Sequence, residues 1–135
     1  MKQSQNTRGY ARYFAIDTHR EYHLVGGQNE DQEWVVSPRR VRIEKFPEWA
    51  QQTFCAGDIV VLETTTNVWE TYDIVAPLAS RVLVANAAGV GEIVGARIKT
   101  DKADIKRLLR LLFGGIVPEV WVPPALSTTY LAPFQ

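Results

Sequence analysis

Apolar and polar positions follow two rhythms along this chain: short unbroken apolar runs, and stretches with an apolar residue every third or fourth position. The run Tyr13-Phe14-Ala15-Ile16-Asp17 predicts a buried strand that ends in an acid. Glu21-Tyr22-His23-Leu24-Val25 predicts a returning strand. Gly26-Gly27-Gln28-Asn29-Glu30-Asp31 reads as a turn into a third strand, Glu33-Trp34-Val35-Val36, and Pro38 closes the meander. Residues 41–54 carry Ile43, Phe46, Trp49 and Ala50 at helical spacing, with Pro47 either kinking that helix or marking its true start.

Beyond Gly57-Asp58, Ile59-Val60-Val61-Leu62-Glu63 is apolar without interruption and again ends in an acid, as a central strand covered on both faces requires. Asn67 is placed to cap a helix over 68–77 with Trp69, Tyr72, Ile74 and Val75 as packing residues, and Arg81-Val82-Leu83-Val84-Ala85-Asn86 reads as another buried strand. Gly89, Gly91 and Gly95 predict a weak short helix or loop and do not form a GxGxxG phosphate cradle. Thr100 caps a strong helix over 101–113 with the apolar stripe Ile105, Leu108, Leu109 and Leu112, and Gly114-Gly115 stops it. Two successive strand-helix-strand passages favour parallel pairing. The expected fold class is α/β, with a central mixed five-stranded sheet made of a three-strand meander plus two parallel strands, flanked by helices. Residues 1–12 are a polar lead and 13–115 the domain. Residues 116–135 form an apolar, proline-rich tail that packs on its own domain or on another chain.

Composition narrows the classes. At 135 residues the chain suits one domain, and its 46% hydrophobic content argues against disorder. Fifteen basic residues balance fifteen acidic ones, so any nucleic-acid role rests on local charge. The sequence has no apolar run near the length of a membrane span, Cys55 is its one cysteine, and the first ten residues lack the apolar core of a signal peptide. These features lead us to expect a soluble, cytoplasmic protein with no membrane partner.

The candidate chemistry lies in four carboxylates: Asp17 and Glu63 at the ends of apolar strands, and Asp101 and Asp104 in the first turns of a helix. If the two strands are parallel neighbours, their acids share one edge of the sheet, and the i, i+3 spacing turns Asp101 and Asp104 to one side of their helix. Four clustered carboxylates repel; two divalent cations about 4 Å apart would neutralise them and hold a phosphodiester. Hard oxygen ligands favour Mg²⁺ or Mn²⁺ over zinc. Each acid also has a plain structural reading. Asp17 suits a strand-end turn, Asp101 the positive end of its helix, and Asp104 a pair with Lys106 or Arg107.

Arg97, Lys99, Lys102, Lys106, Arg107 and Arg110 gather around the same helix, as contacts to a nucleic-acid backbone or as a solvated face. His19 and His23 lack any zinc signature, the serines occur in no GxSxG context, and the tryptophans suit packing.

Taken in order, Phe14-Ala15-Ile16-Asp17-Thr18-His19, Val60-Val61-Leu62-Glu63-Thr64-Thr65, Val82-Leu83-Val84-Ala85-Asn86 and Lys99-Thr100-Asp101-Lys102-Ala103-Asp104 resemble the N-terminal domain of bacterial insertion-sequence transposases with a RuvC-like DEDD domain, the bridge-RNA-guided recombinases. The resemblance spans about residues 13–124. It implies a ribonuclease-H-like fold and a Mg²⁺ site that acts on DNA, formed by Asp17, Glu63, Asp101 and Asp104 as both catalytic and metal residues. It also implies DNA and guide RNA as partners and a homo-oligomeric full-length protein whose C-terminal domain supplies a catalytic serine. That domain has no counterpart in these 135 residues, as in a truncated copy. Thr66 stands where the family commonly has glycine, Asn86 is followed by Ala87 rather than proline, and Asp104 by Ile105 rather than alanine. Two other readings stand beside this one: a self-contained metal-dependent nuclease, and an inactive binding or dimerisation module that uses the apolar stretch from Ile116 to Phe134.

Overall fold

The computed structural model describes residues 5–65, 67–94 and 100–122. Along the chain come β1 (Arg12–Thr18), β2 (Tyr22–Asn29), β3 (Trp34–Arg42), a 3₁₀ turn (Ile43–Lys45), α1 (Phe46–Thr53), β4 (Asp58–Glu63), α2 (Val68–Val75), β5 (Arg81–Ala85), α3 (Ala87–Val94) and α4 (Asp101–Gly114). The strands form one sheet in the order β3-β2-β1-β4-β5. The β1–β2 and β2–β3 pairs are antiparallel, while β1–β4 and β4–β5 are parallel. This is the mixed five-stranded α/β sheet that the apolar pattern predicts.

Alternation along the central strands sorts side chains between two layers. Tyr13 and Ala15 of β1, Ile59 and Val61 of β4, and Leu83 and Ala85 of β5 pack with Ile105, Leu108, Leu109 and Leu112 of α4. On the other face Phe14, Ile16, Val60, Leu62 and Val84 meet Phe46 and Ala50 of α1 and Val68 and Val75 of α2. Each fully buried Leu, Ile or Phe contributes about 1.5–3 kcal/mol, so both faces are strongly driven. Thr100 caps α4 as expected, its hydroxyl accepting from the Ala103 N–H at 3.0 Å, and Gly115 ends the helix at φ 65°.

Several boundaries differ from the sequence expectation. Gly26 and Gly27 lie inside β2 rather than in a turn. A Cβ on Gly26 would stand 2.8 Å from Ile105 Cγ2, and one on Gly27 would stand 2.4 Å from the Phe14 ring, so these glycines admit the layers above and below. Pro38 does not close the meander, because β3 continues through it to Arg42. β3 is an edge strand, and the register shifts between Val25 and Gly27 opposite this segment, so the missing N–H is tolerated. Pro47 lies in the first turn of α1, which therefore begins later than 41. Asn67 is left-handed and its side chain makes no cap; Nδ2 donates instead to the His19 and Arg20 carbonyl oxygens.

The start of the apolar tail lies on the chain's own sheet. The Asn86 N–H donates to the Pro118 carbonyl oxygen and the Val120 N–H to that of Val84, each at 2.7 Å, and Glu119 bridges Ala85 in antiparallel sense. Residues 123–135 lie outside the described residues. Among the described residues, no helix is long and apolar enough to cross a membrane.

Candidate functional site

Asp17 and Glu63 are register partners of the parallel β1–β4 pair, side by side at the carboxyl ends of the two central strands. Both continue the series that faces α4, Tyr13-Ala15-Asp17 and Ile59-Val61-Glu63, and both are buried. Apolar strands therefore deliver two carboxylates to one edge under one helix.

α4 crosses this face antiparallel to β1. Phe113 near its C-terminus stacks on Tyr13 at 4.3 Å between ring centroids, while Arg107 nearer its N-terminus reaches Glu63. The helix approaches closely because Gly26 leaves room for Ile105. Asp104 lies one turn ahead of Arg107 and is buried like it. Arg107 Nη2 donates to Glu63 Oε1 at 3.4 Å, and the same guanidinium's Nε is buried with no hydrogen-bond acceptor.

The loop after Glu63 is tied to both neighbouring strands. The Thr18 hydroxyl donates to the Glu63 carbonyl oxygen, the Thr64 N–H to that of Ala85, and the Thr65 hydroxyl to that of Thr18. These bonds fix the backbone that carries the acids. Thr66 lies outside the described residues.

A stack of rings and cations walls the β2–β3 side. Asp17 Oδ2 stands 3.1 Å from His19 Nε2, and His19 stacks on Tyr22 at 4.6 Å between centroids. The Arg40 guanidinium lies 4.7 Å over the Tyr22 ring and binds Asp101 with both Nε, at 2.9 Å, and Nη2, at 3.2 Å. Each end of the stack thus holds one of the candidate acids. The Arg40 hydrogen bonds hold the Asp101 carboxyl below the usual carboxylate range.

The structure therefore brings Asp17 and Glu63 side by side beneath α4, buries Asp104 on that helix, and leaves Asp101 half-exposed at the rim, bound to Arg40. As arranged, no three His, Cys, Asp or Glu side chains among the described residues stand close enough to share one metal ion. Asp17, Glu63, Asp101 and Asp104 offer carboxylate oxygens, hard ligands of the kind that suits Mg²⁺ or Mn²⁺. Lys102, Lys106 and Arg110 are exposed on α4, whereas Arg107 is turned inward; Arg97 and Lys99 lie outside the described residues.

Sequence reasoning did not anticipate the stack of His19, Tyr22 and Arg40, because it joins residues of separate strands. The inward turn of Arg107 had a signal: Asp104, Arg107, Leu108 and Leu111 follow the i, i+3, i+4, i+7 series of one helix face. His23 lies on the opposite face of the sheet from Asp17, with Nε2 2.8 Å from the Thr71 hydroxyl and its ring edge-on to Phe46. Burial, with a smaller contribution from His19, pushes its pKa down to about 4.

A scan of family models found none that matches the chain, and a search of curated proteins found no match.

Proposed function

We propose that this chain is a divalent-cation-binding, DNA-binding domain of a DNA transposase or recombinase, with the ribonuclease-H-like architecture that its sequence resemblance implies. The observation that carries the reading is the pairing of Asp17 with Glu63 at the carboxyl edge of a parallel pair, under the helix that carries Asp104. Buried carboxylates on neighbouring strands need positive charge nearby. Mixed sheet topology with helices on both faces agrees with the implied architecture.

In this reading Asp17, Glu63 and Asp104 hold Mg²⁺ or Mn²⁺, and Asp101 joins them once it leaves Arg40. A bound divalent cation polarises a phosphodiester oxygen. The chain's own residues do the rest: the strand-end acids fix where charge sits, the threonine loop fixes their backbone, and exposed Lys102, Lys106 and Arg110 attract the DNA backbone.

The test is calorimetric titration of the full chain with Mn²⁺. Binding weakened about tenfold or more by Asp17→Asn or Asp104→Asn, in variants that keep the native circular dichroism spectrum, is the expected result. Equal, weak binding in wild type and in the double variant Asp17→Asn/Asp104→Asn would refute the site.

A further inference from the structure

The Arg107 guanidinium is buried beside Glu63, yet its bonding there is poor. Its contact with Glu63 Oε1 is 3.4 Å, longer than the roughly 2.7–2.9 Å of a good charge-assisted bond. Its Nε is buried without an acceptor, which is costly for a charged group. Only about a tenth of the side chain is exposed, so water does not supply what is missing. A guanidinium carries five N–H donors in a planar fork, a geometry that fits two oxygens of a phosphate. The local arrangement is thus a cation resting on a carboxylate with unused donor capacity, at the edge where a phosphodiester would be held.

We propose that Arg107 is the internal counter-ion of Glu63 in the cation-free protein, and that a divalent cation displaces it, whereupon its guanidinium takes a phosphate oxygen of the nucleic acid. The inference rests on the metal reading above and deepens it, because cation and phosphate then bind as a linked pair. No covalent step is involved: Glu63 exchanges one cation for another, and Arg107 exchanges a carboxylate oxygen for a phosphate oxygen. Linkage requires each ligand to raise the affinity of the other by the same factor.

The handover assigns Arg107 effects of opposite sign. In Arg107→Gln, Mn²⁺ alone binds severalfold more tightly because its competitor at Glu63 is gone. A short single-stranded DNA in saturating Mn²⁺ binds about tenfold more weakly because a charged hydrogen bond is lost. Arg107→Lys restores part of the DNA affinity as a point charge but not the fork. A residue that merely supports the fold would weaken both ligands together, and that outcome, or no change in either, overturns the proposal.

The wild-type full chain supplies a measurement independent of how the variants fold. The Arg107 Nε–H resonance, assigned by its loss in Arg107→Lys or by through-bond connection to the backbone, moves on adding Mg²⁺ and again on adding the oligonucleotide. A resonance unmoved by both additions, while Mn²⁺ titration shows binding that depends on Asp17, overturns the handover and leaves the metal site standing. If wild type binds no Mn²⁺ with or without DNA, the metal reading itself fails, and the handover with it.

Discussion

Strand β4 carries a buried acid at each end, and each acid faces an arginine, but the two pairs are built differently. At the start of the strand, Asp58 is fully buried and both of its oxygens accept from Arg12, Oδ1 from Nε and Oδ2 from Nη2, each at 2.8 Å. Asp58 Oδ2 also accepts from the Cys55 N–H at 2.8 Å, and Arg12 Nη2 donates to the Thr53 carbonyl oxygen at 2.7 Å. This pair is closed, and the bond to Asp58 holds the Arg12 guanidinium above its ordinary pKa. At the end of the strand, Glu63 and Arg107 meet through one long contact, with Arg107 Nε unbonded. The closed pair ties β1 to the loop before β4, a structural duty. In the open one the Arg107 Nε–H is left unbonded, at the carboxyl edge of the parallel strands.

The sharpest way to break this comparison is to neutralise the two acids in turn. Asp58→Asn leaves Arg12 facing an amide where it held two charged oxygens, and we expect a loss of about 3–5 kcal/mol in urea unfolding. Glu63→Gln removes one of two carboxylates that are register partners on neighbouring strands, so relief of repulsion from Asp17 offsets the weaker contact to Arg107, and we expect a change of about 1 kcal/mol or less. Equal losses would mean that the open pair is structural too.

His23 sharpens the contrast at the same end of the sheet but on its other face. There the buried polar group is neutral and bonded to Thr71 among apolar side chains. With its pKa lowered from 6.5 to about 4, the unfolded chain takes up a proton more readily than the folded one between those values. Its contribution is complete above pH 6.5, falls as the pH drops through this window and changes no further below about 4. The total is at most about 3 kcal/mol. Comparing unfolding of wild type and His23→Gln from pH 7 to 4 checks this: the difference between them shrinks as the pH falls. A constant difference would show that His23 protonates equally well in both states.

How much of this was legible in the sequence depended on the range of the cause. Unbroken apolar runs marked β1, β4 and β5, and the acids ending β1 and β4 are side by side in the parallel register of those strands. Gly26 and Gly27 looked like a turn because their reason for being small is a methyl on α4 and a ring on β1, contacts made far away in sequence. Pro38 looked like a terminator because an edge position and a register shift are properties of the assembled sheet. The Arg12–Asp58 pair spans 46 residues, and neither partner has a local pattern to announce it. The basic residues around α4 suit a nucleic-acid contact or a solvated face. Of these alternatives, the burial of Arg107 with Leu108 and Leu111 rules out only the solvated face for that one residue, because its helical phase turns it toward the sheet.

The smallest expected effect concerns a third acid–arginine pair, Arg40–Asp101, which is bidentate like the closed pair but lies at the exposed rim. Geometry alone would rank it with Arg12–Asp58; exposure ranks it far lower, because water solvates both partners when they separate and salt screens them when they meet. Arg40→Gln should therefore leave the unfolding midpoint unchanged. It should still raise the Asp101 pKa toward the ordinary carboxylate value, since the Arg40 hydrogen bond is the main cause of its lowering. A carbon-detected NMR titration of the Asp101 carboxyl reads the second effect directly. An unchanged Asp101 titration would mean that the pair does not persist in solution, so that its bidentate geometry adds as little to the Asp101 charge as its exposure adds to stability.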